Sequence, residues 1–266
     1  MVLSKKNNFK YKLLAILILL FLTGDVAIHK GMVRVMIPKS FLNDTPSSQK
    51  VFPEIFLSNR NKEWMKAVNT PDRMNTVSTA TSGIEMDIYF DSPTKTFSVH
   101  HDINATVYFQ FEDLLNLYLK RKLTASIWMD FKNLSPQNQQ EALATLISLR
   151  EKYHLENKIL VESSFPELLN PFSDQKFYTS YYTPYFNPYL MDQDSLKAIT
   201  AQMQNHLAKS RVQALSGYYF QFRFLHERFP NYPILIWGSD DRFSLVNLIY
   251  TNFINNKKEV FIKLNP

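Results

Sequence analysis

Short apolar runs alternate with amphipathic stretches from about residue 60 to the C-terminus. The stretches between the runs include 111–122, 136–153 and 194–209 and have the spacing of apolar residues expected of helices. Eight apolar runs are predicted to be strands, at 64–68, 84–90, 125–131, 158–163, 177–182, 212–219, 233–237 and 259–264. Eight strands alternating with helices predict an α/β fold, a (β/α)8 TIM-type barrel, with a doubly wound sheet as the alternative.

A ninth run, residues 97–101, is expected to be an additional strand. The turn-forming segment 91–95, Asp-Ser-Pro-Thr-Lys, separates it from the strand at 84–90 and is short enough for a hairpin. The run ends in His100 and His101, followed by Asp102. Because His101 shares the alternation class of the apolar residues before it, we expect the hairpin to bring His101 toward the barrel rim and to turn His100 away.

Acidic side chains recur on the inward face of three neighbouring predicted strands. Alternation places Glu85 and Asp87 on the face of the second strand opposite its apolar residues. It also places Asp130 and Lys132 on the inward face of the third strand and Glu162 on that of the fourth. Since active sites of such barrels lie at the C-terminal ends of the strands, these residues define a candidate site.

Two interpretations of these carboxylates remain open from the pattern alone. Several carboxylates in a partly closed cavity need a counter-charge, and oxygen ligands suit a hard divalent cation, Mg²⁺ or Ca²⁺. Alternatively, Lys132 and Lys66 on the first predicted strand neutralise the carboxylates in a structural ion-pair network. In the first case the cation could polarise a phosphoryl or carbonyl oxygen.

The N-terminal 29 residues have the order of a signal peptide or signal anchor. Four lysines precede an uninterrupted apolar run from Leu13 to Leu22, which is closed by Thr23, Gly24 and Asp25. Lysines on the N-terminal side predict that the rest of the chain is exported, either tethered to a membrane and facing the periplasm or exterior, or secreted after cleavage. Residues 30–60 are predicted to be a connector and residues 61–266 the barrel domain.

Composition excludes several kinds of chemistry. The chain has no cysteine, and its five glycines are widely separated, so neither a thiolate site nor a glycine-rich phosphate loop is expected. The formal net charge of +6 comes from residues 1–50, because the remaining 216 residues carry 22 basic and 22 acidic side chains. No nucleic-acid partner is therefore expected for the barrel.

Two further positions are candidates for substrate binding. Tyr182 ends a predicted strand and begins an aromatic, proline-broken loop that would form a headgroup- or sugar-binding wall at the rim, although core packing explains it equally well. Arg242 follows the strand at 233–237 and would be near a bound phosphate, but loop polarity is the simpler interpretation.

Four segments, in this order and spacing, together resemble the phospholipase C-like phosphodiesterases, which include the glycerophosphodiester phosphodiesterases. Residues 83–102 resemble the Glu-x-Asp strand, short turn and His-Asp segment of that superfamily, and residues 128–134 are similar to its acidic-x-Lys strand. The Trp-bearing run at 233–239 resembles its penultimate strand. Residues 66–74 and the Asp-Phe-Lys segment at 130–132 look closest to the menorin-type branch.

The resemblance implies a (β/α)8 barrel that cleaves a small phosphodiester or a lipid headgroup. It implies Glu85, Asp87 and Asp130 as metal ligands, His101 as the acid/base and Lys132 as the group that stabilises charge on a phosphoryl oxygen. The sequence departs from the family at Lys66, where a second catalytic histidine is usual. This departure leaves a second hypothesis, a catalytically degenerate barrel that binds a ligand or protein at the cell surface.

Overall fold

The computed structural model describes residues 3–41, 54–239, 241 and 243–265, and it is a closed (β/α)8 barrel. Ten strands are present in the described residues: β1 (Glu63–Met65), β2 (Gly83–Asp91), β3 (Thr96–Val99), β4 (Phe109–Gln110), β5 (Ser126–Phe131), β6 (Ile159–Ser163), β7 (Tyr178–Tyr182), β8 (Ala214–Tyr218), β9 (Ile234–Trp237) and β10 (Val260–Asn265). All eight predicted barrel strands and the additional strand are confirmed.

The barrel is closed by the first and last strands. Strand β1 pairs in parallel with both β10 and β2, which gives the cyclic order β1, β2, β5, β6, β7, β8, β9, β10. Every neighbouring pair in this ring is parallel, so the TIM-type prediction is confirmed over the doubly wound sheet. The predicted hairpin is also confirmed, because β3 runs antiparallel to β2 and pairs Val99 with Ile88. Strand β4 extends this hairpin outside the ring.

Helices cover the outside of the ring between consecutive strands. In chain order the helices of the described residues are α1 (Leu3–Ile28), α2 (Lys30–Met36), α3 (Pro71–Thr76), α4 (Phe111–Lys120), α5 (Gln139–Lys152), α6 (Asn170–Asp174), α7 (Gln193–Ala208), α8 (Phe222–Arg228) and α9 (Leu245–Asn255), with 3-10 turns at Pro166–Leu169 and Tyr219–Gln221. The main core lies between these helices and the outward-facing strand residues.

A second, smaller core fills the inside of the barrel. It includes Trp64, Trp128, Leu160, Tyr178 and Trp237, which come from five strands of the ring. Since Trp128 lies beside Glu85 in the register of β2 and β5, this core forms the floor beneath the carboxylates. The interior of the barrel is therefore packed with apolar side chains beneath the carboxylates.

Gly83 permits the close approach of β2 to this inner core. A methyl group at position 83 would lie 2.0 Å from the Trp64 indole, whereas one at Gly24 would meet nothing within 4 Å. We expect Gly83→Ala to destabilise the barrel by about 1–3 kcal/mol, because Trp64 is 1% exposed and has no space to move into. Thermal unfolding followed by circular dichroism tests this, with Gly24→Ala as the control that should not lower the melting temperature.

The N-terminal segment contains one helix that could cross a membrane. The stretch Phe9–Ile28 of α1 has a mean hydropathy of 2.1, and its length and composition also suit a signal sequence. Helix α2 follows after one residue and buries Met32 and Val35 against the barrel, so residues 30–36 of the predicted connector are helical and packed. Residues 42–53 of that connector lie outside the described residues.

Candidate active site

Strand register places three carboxylates in one row across the barrel. Asp87 on β2 pairs with Asp130 on β5, and Asp130 pairs with Glu162 on β6. Glu85 lies one inward-facing position below Asp87 on β2. All four side chains are at most 4% exposed, so each was correctly predicted to point into the barrel. Oxygen atoms of Glu85, Asp87 and Asp130 lie within 4.8 Å of one another, which is close enough to share one cation.

Lys132 supplies positive charge directly to this row. Its Nζ atom lies 2.8 Å from Asp87 Oδ1 and 2.5 Å from Asp130 Oδ2. Burial alone would lower the pKa of Lys132, but the charges of Asp130 and Asp87 outweigh it and raise the pKa above its ordinary value. Lys132 is therefore a fixed ammonium group, and it belongs to the predicted ion-pair network. One lysine between two carboxylates leaves the remaining acidic groups without a matched charge.

The surroundings of Glu85 indicate that the carboxylates lack a compensating positive charge. Burial, and then the charge of Asp87, raise the pKa of Glu85 well above its ordinary value. The Ala67 amide donates to Glu85 Oε2 at 2.7 Å, but Oε1 is buried and has no hydrogen-bond partner among the described residues. Ala67 adopts a left-handed conformation (φ 55°), which costs about 1 kcal/mol and turns its N–H toward the carboxylate. An orphaned buried oxygen within a set of oxygen donors fits a divalent cation.

Asn69 is a site residue that the strand pattern did not single out. Its Nδ2 donates to Asp87 Oδ2 at 2.6 Å, while its Oδ1 accepts from the Asp87 backbone N–H at 2.9 Å. These two bonds fix the rotamer of Asp87. The available signal was the position of Asn69 in the loop directly after β1, at the same end of the barrel as the carboxylates.

We expect Asn69→Ala to weaken divalent-cation affinity about 10- to 100-fold, because Asp87 loses the amide that orients it. Terbium luminescence or calorimetric titration with Mg²⁺ and Ca²⁺ measures the change. The matched control is Asn116→Ala, an exposed asparagine on α4 that hydrogen-bonds Tyr153 away from the carboxylates. Equal cation affinities in the two variants would remove Asn69 from the site.

The histidine pair lies just past the end of β3, beside the site. His101 is 73% exposed, and its Nδ1 lies 2.8 Å from Asp102 Oδ1, an arrangement that leaves Nε2 for proton exchange. His100 instead stacks on Tyr89 with ring centroids 4.1 Å apart, and its ring nitrogens bond Ser98 and the Asp102 carbonyl. A cationic His101 is close enough to lower the pKa of Asp130, although burial raises that pKa overall.

Lys66 lies at the mouth of the barrel, after the strand that neighbours β2. It follows β1, is half-buried, and places its Nζ 5.8 Å from the centre of the Trp237 ring. A cation over an indole face is a favourable contact. Lys66 is thus held at the rim by an aromatic side chain of β9, at the strand end where the family resemblance predicted a histidine.

Glu162 and Tyr182 form the wall farther from the hairpin. Neither oxygen of Glu162 has a hydrogen bond of good geometry to any described residue, and burial, followed by the charge of Asp130, raises its pKa well above 4.5. The Ser216 hydroxyl opposes part of this shift. Tyr182 donates to the Tyr218 hydroxyl at 3.1 Å and packs against Trp237, and burial raises the pKa of Tyr182 strongly. Arg242 lies outside the described residues.

Several solved structures of phosphodiesterases share this arrangement of strands and helices. A protein from Silicibacter pomeroyi assigned as a glycerophosphoryl diester phosphodiesterase matches with TM-score 0.56 and 11% identity over 80% of this chain and 91% of its own. A glycerophosphodiester phosphodiesterase from Parabacteroides distasonis gives TM-score 0.50 and 13% identity, with coverages of 77% and 93%. A phosphodiesterase from Oleispira antarctica, solved with its product sn-glycerol-3-phosphate, gives 0.51 and 8%, with coverages of 77% and 92%.

These likenesses establish a barrel fold shared with glycerophosphodiester phosphodiesterases. No protein-family model matches the sequence, and no curated protein matches it. The identities of 8–13% establish the fold alone, so what this site does has to be argued from its own residues.

Proposed function

We propose that the protein is a phosphodiester hydrolase that acts on a glycerophosphodiester or a related headgroup at the C-terminal mouth of its barrel. The observation that carries this proposal is the cluster of Glu85, Asp87 and Asp130, with the Lys132 ammonium against it and His101 beside it. The phosphodiesterases of the same fold support it, one of them bound to sn-glycerol-3-phosphate.

Each group has a role in the proposed hydrolysis. Water adds to phosphorus and gives up a proton, the P–O bond to the alcohol breaks, and the leaving alkoxide takes up a proton. His101 transfers that proton through Nε2, because its Nδ1 is paired with Asp102. Lys132 stabilises negative charge on a phosphoryl oxygen, and Lys66 holds the anionic substrate at the rim. Glu162 and Tyr182 line the far wall of the substrate site.

Glu85, Asp87 and Asp130 would hold Mg²⁺ or Ca²⁺. A cation bound there would polarise a phosphoryl oxygen and compensate the charge that Lys132 leaves unmatched. Asn69 would keep Asp87 in place for this role. Among barrels of this fold, the segments at 66–74 and 130–132 favour the menorin-type branch for this chain.

The proposal includes export with retention at the membrane. Lysines precede the apolar part of α1, and basic residues on that side favour a cytoplasmic N-terminus and an exported barrel. Asp25 and His29, near and just after the end of α1, are 7% and 8% exposed because they pack against the barrel. Because the end of α1 packs against the folded domain, α1 is better suited to an uncleaved anchor than to a signal peptide that is removed.

A second candidate function is a binding barrel without catalysis. It is favoured by Lys132, whose ammonium already pairs with two of the three proposed ligands, and by Lys66 in place of a histidine. In this case the mouth would bind an anionic ligand without hydrolysing it. Addition of Mg²⁺ or Ca²⁺ would then leave ligand affinity unchanged, and no alcohol would be released.

We expect His101→Ala to lower kcat for glycerophosphodiester hydrolysis about 100-fold, because a positioned acid/base contributes about 10²- to 10⁴-fold. The assay uses the full chain in detergent with Mg²⁺, Ca²⁺ or chelator and measures the released alcohol. His226→Ala is the control, since His226 lies on α8 beside Glu259 and away from the mouth. Loss of activity with chelator supports the metal, and equal activity of the two variants would contradict the role of His101.

A further inference from the structure

A group of six exposed apolar side chains lies at one side of the catalytic end of the barrel. We define the rim patch as Tyr185, Leu190, Phe243, Leu245, Leu248 and Ile249, all of which are more than 40% exposed. They lie in the loops that follow β7 and β9 and in the first two turns of α9. Helices of this fold start at the C-terminal ends of the strands, so the rim patch is at the same end as the carboxylates.

The exposed side chains of helix α9 are apolar near the rim and polar farther from it. Its exposed positions near the rim are Leu245, Leu248 and Ile249, which share one helical face at i, i+3 and i+4 spacing. Its exposed position farther down is Asn252, and the exposed Asn256 follows its last residue. The apolar face therefore ends about two turns below the rim, as expected of a surface that enters an apolar phase only at its tip.

The membrane-type helix α1 joins the barrel at this patch. Asp25 Oδ2 accepts from the Val246 amide at 3.0 Å, in the first turn of α9. His29, one residue after α1, lies 2.9 Å from Asp25 and 2.9 Å from Asp241, which is in the loop that follows β9. These contacts fix the end of α1 to the catalytic rim.

The apolar part of α1 is separated from the rim by only a few residues. Phe9–Ile28 would extend about 30 Å, which equals the hydrocarbon thickness of a bilayer. Leu22, the end of the apolar run, is three residues from Asp25, or about 4.5 Å along the helix. If α1 crosses a bilayer, the rim patch is therefore held at its surface. Lys30, Arg34 and Lys39 are exposed directly after α1 and suit anionic headgroups.

Aromatic side chains connect the rim patch to the carboxylates. Tyr185 packs edge-to-face on Tyr218, with ring centroids 4.9 Å apart, and Tyr218 accepts the hydroxyl hydrogen bond of Tyr182. Tyr182 in turn contacts Trp237, over which Lys66 lies. A lipid whose chains stay in the bilayer could thus present its headgroup phosphodiester to the site along an apolar wall.

We infer that the rim patch inserts into the bilayer surface around α1 and that the substrate is a phosphodiester lipid taken from that membrane. This inference rests on the proposed phosphodiester hydrolysis for the substrate, but the docking of the rim does not. The bond cleaved is the same P–O ester, with water as the nucleophile and the headgroup or glyceride alcohol as the leaving group.

The absence of cysteine allows a direct test of the docking. Single variants Leu190→Cys and Leu248→Cys of the full chain are labelled with an environment-sensitive fluorophore and reconstituted into vesicles of phosphatidylcholine and phosphatidylglycerol. Matched controls are Phe56→Cys and Leu119→Cys, which are exposed at the opposite end of the barrel, where residues 55 and 58 bond the segments preceding β8 and β6. Doxyl-labelled lipid should quench the rim labels several-fold more than the control labels.

A second measurement links the docking to the substrate. The double variant Leu248→Asp and Ile249→Asp should lower hydrolysis of a phosphodiester lipid in vesicles several-fold, while hydrolysis of a soluble glycerophosphodiester stays unchanged. Equal quenching of the rim labels and the control labels would overturn the docking. So would rim labels that a second copy of the chain shields and that the doxyl lipid does not quench. Quenched rim labels with neither substrate hydrolysed would keep the docking and reject the proposed function. Unchanged lipid hydrolysis in the double variant would overturn the role of the rim patch in lipid access, and wild-type hydrolysis of the soluble substrate without hydrolysis of the lipid would overturn the inferred lipid substrate.

Discussion

Asp87→Asn is expected to lower kcat/KM for a glycerophosphodiester about 1,000-fold, the largest effect of any single substitution at this site. Asp87 is central because it contacts the amide of Asn69 and the ammonium of Lys132 and is one of the three proposed ligands. The amide of asparagine has nearly the shape of the carboxylate but no charge. The variant therefore tests the charge of Asp87 and leaves the packing of β2 intact.

The matched control is Asp91→Asn on the same strand. Asp91 is exposed at the end of β2, where it bonds Thr94 in the hairpin turn, so its loss should change kcat/KM by no more than about twofold. Both variants are compared in saturating Mg²⁺ or Ca²⁺ and at low cation concentration. If Asp87→Asn retained full activity while folded, the carboxylate row would be a structural ion-pair network and the proposed chemistry would be wrong.

Glu162→Gln is expected to stabilise the protein at neutral and alkaline pH by on the order of 1–3 kcal/mol. The folded state holds Glu162 where ionisation is disfavoured by burial and by Asp130, so its pKa is raised above the 4.5 of an exposed glutamate. Glutamine keeps the shape of the protonated acid and cannot ionise. When the wild type unfolds, Glu162 releases this proton, and the release lowers the free energy of unfolding. Glutamine has no proton to release, so the variant is not destabilised in this way.

The stability advantage of Glu162→Gln is expected to depend on pH. Below pH 4.5, Glu162 is protonated in both folded and unfolded chains, so the variant should have little advantage. As the pH rises, the unfolded chain ionises first and the wild type loses stability up to the raised pKa of the folded state. The advantage of glutamine should therefore grow above pH 4.5 and then level off.

Thermal unfolding in detergent with chelator measures this advantage across the pH range. At about 2–4 °C per kcal/mol, the melting temperature should rise by several degrees at pH 8 and change little at pH 4. Glu156→Gln, an exposed glutamate outside the barrel, is the control and should show no pH-dependent difference. A pH-independent gain for Glu162→Gln would indicate that packing, and not ionisation, separates the two side chains.

Alternation along the strands was sufficient to predict the inward-facing carboxylates. A residue's side of a strand is a local property with a period of two, so Glu85, Asp87, Asp130 and Glu162 could be assigned to the interior before their partners were known. The hairpin was also predictable from local sequence, because a short turn between two strand-forming runs favours antiparallel pairing. These parts of the fold are confirmed by the structure.

Loop geometry could not be obtained in this way. Asn69 bonds Asp87, and the left-handed Ala67 turns its amide to Glu85, because the β1 loop runs beside the middle of β2. The contact depends on strand order and loop conformation, which periodicity does not encode. The packing of α2 is a similar case, since its proline-flanked sequence resembles a linker until the barrel supplies a surface for Met32 and Val35.

The sequence by itself determined the elements, the barrel class and the inward direction of the acidic side chains, because these follow from local periodicity and from the number of strands. Only the tertiary structure decided that Lys132 lies between Asp87 and Asp130, that Glu85 retains an unpaired oxygen, and that α1 joins the catalytic rim. Each of these depends on tertiary contacts between groups far apart in the chain, and their mutual charges and burial exist only once they meet.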